Sequence, residues 1–194
     1  MTDLLPLLTY SFVMSSTPGP NNLMLTASGA NFGYRRSLPH ILGIAAGHGP
    51  QIFLACLGLG ALFQAFPMLH QALRIAGAAY LAVLAWRLAG SAIGQRDLPQ
   101  PLGFWQAMGF QAVNPKAWVK AITVATVFMP SGLALLPAAA LVTAISIAIN
   151  LPCVSAWALF GVAIRRLLTD PRRRRVFNAI MAATLLALAI GLFL

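Results

Sequence analysis

A chain of 194 residues that is 59% hydrophobic and 8% charged cannot cover a water-facing surface, because soluble domains carry about a quarter charged residues. The formal charge of +10 sets 13 Lys and Arg against three acids, Asp3, Asp97 and Asp170. The basic residues sit mostly in short gaps between apolar blocks, the pattern that orients helices in a membrane, and this argues against nucleic acid as a partner.

Six apolar blocks are predicted as spans, at about 4–27, 40–63, 71–90, 107–129, 137–160 and 176–194. Each is about twenty residues or longer, enough to cross a ~30 Å hydrocarbon layer as a helix. The expected fold class is therefore all-α, a polytopic membrane protein whose single transmembrane domain covers 1–194. The gaps are too short for an independent extramembrane domain.

The first block has no Lys or Arg ahead of it and runs into Thr17-Pro18-Gly19-Pro20-Asn21-Asn22, so it reads as a span and not as a cleavable signal. Two prolines around a glycine remove backbone donors and disfavour helical geometry just before each proline. The helix is expected to open there and restart, with Thr17 as N-cap and Pro18 or Pro20 near the first helical position. The second block contains Gly47-His48-Gly49-Pro50, which reads as a similar interruption. The third has Arg74 at its outer end, against the charge rule, where snorkelling to the interface accounts for it. The fourth contains Asn114-Pro115-Lys116, an N-cap residue followed by proline, and the fifth contains Asn150-Leu151-Pro152. Cys56 and Cys153 lie singly in apolar blocks and read as small buried hydrophobes, with no C-x-x-C pair for redox or zinc chemistry.

Arg35 and Arg36 follow the first block. Arg87 and Arg96 follow the third, and Arg165, Arg166 and Arg172 to Arg175 follow the fifth. The gaps Gln64–His70 and Pro130–Leu136 hold no Lys or Arg. Positive-inside counting places the first set in the cytoplasm and both termini in the periplasm of an inner-membrane protein. The Arg172–Arg175 run could attract anionic headgroups by about 1 kcal/mol per residue, but topology alone explains it.

Six spans with both ends outside divide into two inverted halves: repeat one at about 1–90, a cytoplasmic linker at about 91–105, and repeat two at about 106–194. Inverted repeats with interrupted helices are a common plan for secondary transporters. Here the first span pairs with the fourth and the second with the fifth. A restarting helix offers free N–H groups and about half a positive charge, a place for a carboxylate. Carbonyls freed upstream, around Ser15, Ser16 and Val113, would accept an ammonium. Asn21, Asn22, Asn114 and Asn150 add uncharged donors and acceptors, so the chemistry suits a zwitterion.

Lys116 and Lys120 fall on one face of the fourth span. Lys116 is expected to orient the substrate carboxylate or to stabilise the break at Asn114, and Lys120 to line the same cavity. No span contains Asp or Glu, so proton-driven export would rely on a lysine, the substrate or His48, the proton-coupling candidate. His40 and His70 fall near the interfaces and carry no expected role.

These motifs together resemble the LysE/RhtB family of amino-acid exporters. The opening Thr17-Pro18-Gly19-Pro20-Asn21-Asn22, then Gly29 to Gly33 and a basic pair, is similar to that family's first span, and Gly43-Ile44-Ala45-Ala46-Gly47 to its second. The run Ala76-Gly77-Ala78-Ala79-Tyr80-Leu81, continuing to Trp86-Arg87, looks like its third span. Phe104-Trp105, Phe110-Gln111 and Asn114-Pro115-Lys116-Ala117-Trp118 look like its fourth. The resemblance covers nearly the whole chain and implies an efflux carrier for amino acids or close derivatives, six-helical and dimeric. The pattern is most similar to the branch handling cysteine, O-acetylserine and other neutral amino acids. Lys120 departs from the family pattern, where apolar residues are usual, and a second cation disfavours lysine or arginine as substrate.

The expected substrate-binding set is Thr17, Pro18, Gly19, Pro20, Asn21, Asn22, Gln111, Asn114, Pro115, Lys116, Lys120 and Asn150, with no cofactor and no metal. An enzyme would need convergent nucleophile, base or metal ligands. A metal-ion exporter would want carboxylates or clustered His and Cys. A non-transporting scaffold predicts sealed packing with no polar cavity between the halves.

Overall fold

The computed structural model describes residues 4–59, 66–90, 100–165, 167–168, 170–191 and 193, without the side chains at positions 67, 69, 70, 73, 74 and 90. Asp3, Arg96, Asp97 and Arg166, the side chains of His70 and Arg74, and most of the 91–105 linker lie outside the described residues.

All regular elements among the described residues are helices. They are α1 (Leu5–Ser16), α2 (Pro20–Phe32), α3 (Tyr34–Leu54, continued by a π-helical turn at Ala55–Leu59), α4 (Pro67–Gly90), α5 (Phe104–Val113), α6 (Pro115–Val127), α7 (Leu135–Arg165) and α8 (Pro171–Gly191). Among the described residues three helical stretches are long and apolar enough to cross a membrane: Tyr34–Leu59, Leu135–Arg165 and Pro171–Gly191, with mean hydropathies of 1.4, 1.9 and 1.4. By contrast α1, α2, α5 and α6 hold 12, 13, 10 and 13 residues. At about 1.5 Å per residue, each reaches only about 15–20 Å, roughly half a hydrocarbon layer.

The breaks between these short helices follow from the chain. Thr17 is extended (φ −70°, ψ 146°), Gly19 is extended (φ −174°, ψ 176°) and so is Asn114 (φ −82°, ψ 106°). All three precede a proline, whose ring disfavours the helical region for its predecessor. Pro20 and Pro115 then open α2 and α6 at the position where a missing N–H costs nothing. Thr17 is not the N-cap expected from the sequence. It terminates α1, its N–H donating to Val13 O at 2.9 Å, and Gly19 takes the capping position of α2.

The interruptions expected at Gly47–Pro50 and Asn150–Pro152 are absent. α3 runs through Pro39 and Pro50, and α7 runs through Pro152. An isolated proline removes one ladder bond, which packing inside a bundle can offset, whereas Pro18-Gly19-Pro20 removes two within three residues. The distortion of α3 comes later, at the π-helical turn, where Gly58 has φ 104°.

Three apolar clusters surround a polar centre. One joins α1, the end of α3, α6 and α7 through Leu7, Ile52, Val124 and Val142. A second joins α2, α4, α5 and α8 through Leu23, Leu81, Phe110 and Leu185, with Tyr80 stacked on Phe110 at 4.8 Å. The third joins α2, α3, α5 and α7 through Leu25, Ile44, Ala107 and Val154. Lipid is as apolar as these side chains, so small residues that let backbones approach carry much of the packing. A Cβ on Gly29 would overlap Ala158 O, and one on Gly161 would overlap Thr26 O, so α2 and α7 cross at a reciprocal glycine contact. Gly43 and Gly47 do the same for α3 against α5, facing Phe104 O and Met108 O.

Candidate functional site

The two breaks face each other. Lys116, one residue into α6, sends its ammonium across to the other break, donating to Thr17 O at 2.7 Å, Thr17 Oγ1 at 2.9 Å and Pro18 O at 3.0 Å. Its aliphatic chain lies where a side chain on Gly19 would stand, since a Cβ there would come 2.7 Å from Lys116 Cδ. Lys116 thus caps the carbonyl end of α1, not the break at Asn114 beside it.

A second bridge joins the same two breaks. Asn21 Nδ2 donates to Gln111 Oε1 at 2.9 Å, and Gln111 Nε2 donates back to Asn21 Oδ1 at 3.3 Å. The fully buried Gln111 also donates to Ala107 O at 2.9 Å, and its own carbonyl accepts Gln51 Nε2 at 3.1 Å. Asn22 Nδ2 donates to Ser15 O at 2.9 Å and Thr17 O at 2.8 Å, and Trp157 Nε1 donates to Ser16 O at 3.2 Å. The carbonyls freed by the first break are therefore held by the protein's own side chains. Val113 O is packed against Gly77 of α4.

Deeper in the bundle, Ser15 Oγ is a hub. It accepts Lys120 Nζ at 2.9 Å and Asn150 Nδ2 at 3.2 Å. Lys120 is 3% exposed, and the acceptor described for it is this one hydroxyl. A lone ammonium at membrane depth costs about 2.5–3.5 kcal/mol on insertion scales, so this arrangement leaves a demand for a counter-anion. His48 Nε2, Asn114 Oδ1, Asn150 Oδ1 and Gln51 Oε1 are buried without a hydrogen-bond partner.

These groups enclose a cavity of about 40 Å³, walled by Ser15, Gly19, Asn21, His48, Lys120 and Asn150 among others. A water needs about 10–15 Å³ by this measure, so the space takes a few waters and no amino acid. The chamber is closed to an amino acid by its own side chains. Of the residues singled out in the sequence, Gly19, Pro20, Asn21, Asn22, Gln111, Asn114, Lys116, Lys120, Asn150 and His48 line the cavity. Thr17 and Pro18 sit just outside it, exposed, and hold Lys116. Pro115 sets the geometry of its break without lining the cavity. Sequence reasoning missed Gln51, the Ser15 hydroxyl and the Ser11–Ser146 contact at 3.5 Å. Gln51 could have been found, since it is the one amide in its apolar block.

A closed polar chamber between paired helix breaks, inside an apolar bundle, is the architecture of a membrane translocator. The chain belongs to the LysE type translocator family, which it matches over residues 12–194. It is accordingly a multi-pass membrane transporter and not an enzyme. It is 31% identical over 192 residues to a protein of Salmonella paratyphi A named cysteine/O-acetylserine efflux protein, covering 95% of this chain and 94% of that one. The protein of the same name in Escherichia coli K12 is 29% identical over the same shares. No solved structure matches the chain.

Proposed function

We propose that the protein exports neutral amino acids or close derivatives, of the cysteine, O-acetylserine or homoserine type, from the cytoplasm across the inner membrane by alternating access. The observation that carries this is the cross-bridged pair of helix breaks, with an ammonium-binding set of oxygens at one edge and an uncompensated ammonium at the other. Thr17 O, Thr17 Oγ1 and Pro18 O form a cradle for a primary amine, filled by Lys116 in the closed state. Lys120, held by one hydroxyl, is the natural partner of a carboxylate. A zwitterion satisfies both, and Asn21, Asn22, Asn114, Asn150 and Gln111 supply the polar wall. His48 is the proposed proton carrier; the other ionisable groups facing the cavity are the two lysines.

In this reading α1 with α2 and α5 with α6 form two interrupted spans, giving six spans in two inverted halves. Some of the helix contacts fit the exchange, though α2 on α3 has no comparably close α6 on α7 counterpart. α2 on α7 mirrors α6 on α3, α1 on α7 mirrors α5 on α3, and α3 on α7 and α4 on α8 map onto themselves. Arg165 reaches the Gly33 turn beside Arg35 and Arg36, so basic residues gather at one end. That end is taken as cytoplasmic, with both termini periplasmic, and reporter fusions at the C-terminus test it. A homodimer is the proposed assembly, tested by the mass of the purified protein in detergent.

Transport is tested in proteoliposomes with a panel of radiolabelled amino acids and O-acetylserine, with and without a pH gradient. Uptake of neutral members above empty liposomes is expected, and none for any member would overturn the reading. With His48→Gln the pH profile of transport is expected to change; an unchanged profile removes His48 from coupling.

A further inference from the structure

A second cavity, of about 530 Å³, lies at the basic end, between the last turns of α2 and α4 and the first turns of α3 and α5. Its volume falls within the roughly 300–1,000 Å³ of small-molecule sites, unlike the closed centre. His40, expected from the sequence to sit idle at an interface, is 1% exposed in its wall, and both ring nitrogens lack a hydrogen-bond partner. Asn31 also lines the cavity with its Oδ1 buried and unpartnered, its Nδ2 being engaged by Ala27 O at 2.8 Å and Asn178 Oδ1 at 3.1 Å. Buried polar atoms are almost always paired, because leaving one bare costs about 1–3 kcal/mol. Three such atoms stand beside one cavity, and a small turn of the His40 and Asn31 side chains would present them to an occupant.

The chemistry of the wall narrows the occupant. A neutral imidazole offers one donor and one acceptor, and the Asn31 carbonyl offers an acceptor. Arg87, at the end of α4, lines the same cavity and supplies a guanidinium suited to carboxylates. Acceptors on one side and a cation on the other match an ammonium and a carboxylate carried on one small molecule. The remaining wall, including Met24, Leu84 and Leu185, is apolar and leaves room for a short side chain.

The position also argues for a role in transport. His40, Ile44 and His48 follow one another at four-residue intervals on α3, the first in this cavity and the other two in the central one. The eight residues from His40 to His48 span about 12 Å. Ile41 and Ile44, in the α3 segment between His40 and His48, belong to the apolar cluster with Leu25 and Ala107, and Ile44 also lines the central chamber.

We propose that this cavity is a second amino-acid-binding site, a loading site for the zwitterionic α-amino acid, joined to the central chamber by the α3 segment from His40 to His48. The identity of its ligand rests on the exporter reading given above. The test uses the full-length protein with radiolabelled O-acetylserine and cysteine, in equilibrium dialysis and in proteoliposomes. Wild type should bind two molecules per chain, and Arg87→Gln and His40→Leu one each. Both variants should raise the transport KM about tenfold with Vmax within twofold of wild type. Arg87 is exposed, so its variant reports even where His40→Leu fails to fold. One molecule per wild-type chain with KM unchanged in Arg87→Gln overturns the proposal. So does a co-purifying lipid seen by native mass spectrometry together with a single amino acid bound. If wild type neither binds nor moves any member of the panel, the exporter reading itself fails, a result distinct from the first two.

Discussion

At the scale of the residue, the site depends on groups that satisfy one another across two separate pieces of chain. Asn21 and Gln111 exchange two hydrogen bonds, so deleting Gln111 strips the half-buried Asn21 of both, and deleting Asn21 leaves the buried Gln111 with its bonds to Ala107 O and Asn114 Nδ2 alone. Asn21→Ala and Gln111→Ala should each cost about 1–3 kcal/mol. The double variant should cost less than their sum by about 0.5 kcal/mol or more, read from thermal unfolding in detergent. Strict additivity would show that the pair is not coupled. Lys120 poses the opposite case, a buried cation whose described acceptor is one hydroxyl. Lys120→Met should unfold at or above the wild-type temperature, because replacing a poorly compensated buried charge with an apolar chain is often neutral or stabilising. Its transport should fall at least tenfold if the ammonium meets the substrate carboxylate. Lys116→Met, which empties the Thr17–Pro18 cradle, should likewise slow transport; export at the wild-type rate would remove Lys116 from the mechanism.

At the scale of the element, packing rests on contacts that no side chain can enter. Gly29→Leu drives a branched side chain into α7 at Ala158 O, where backbone cannot yield. It should abolish the monodisperse peak in size-exclusion chromatography. Gly109→Ala is the control: nothing lies within 4 Å of its would-be Cβ, and alanine in a helix interior gains about 0.5–1 kcal/mol over glycine. An equally well-behaved Gly29→Leu protein would contradict the close crossing.

The same scale shows what the sequence could and could not reveal. The breaks at Pro18–Pro20 and Pro115 were legible because the chemistry that makes them is local: a proline acting on its predecessor. Pro50 and Pro152 carry the same local signal, yet α3 and α7 run on through them. Their outcome is decided by neighbours distant in the chain. Lys116 was expected to orient a substrate carboxylate or to stabilise the break at Asn114, and its reach to the opposite break, 99 residues away in sequence, was not legible. His40 was expected near an interface with no special role; that it is 1% exposed there follows from tertiary packing, which its place in the chain does not reveal. Glycines such as Gly43 and Gly47 stood out as a motif, but which helix they admit is a tertiary fact.

At the scale of the whole molecule, the central chamber is shut around about 40 Å³, and the polar groups that close it come from both halves of the chain. Lys116 belongs to the second half and the oxygens it grips belong to the first; Asn21 and Gln111 divide in the same way. A chain cut within 91–99 and expressed as two fragments should restore transport only when both are made in one cell, with neither fragment retaining any alone. Recovery of activity by a single fragment would locate the pathway elsewhere. Should the exporter reading hold, the route is expected to run along this seam, since Lys116 and Gln111 on one side grip Thr17, Pro18 and Asn21 on the other, and loosening that grip would be the step that admits a solute.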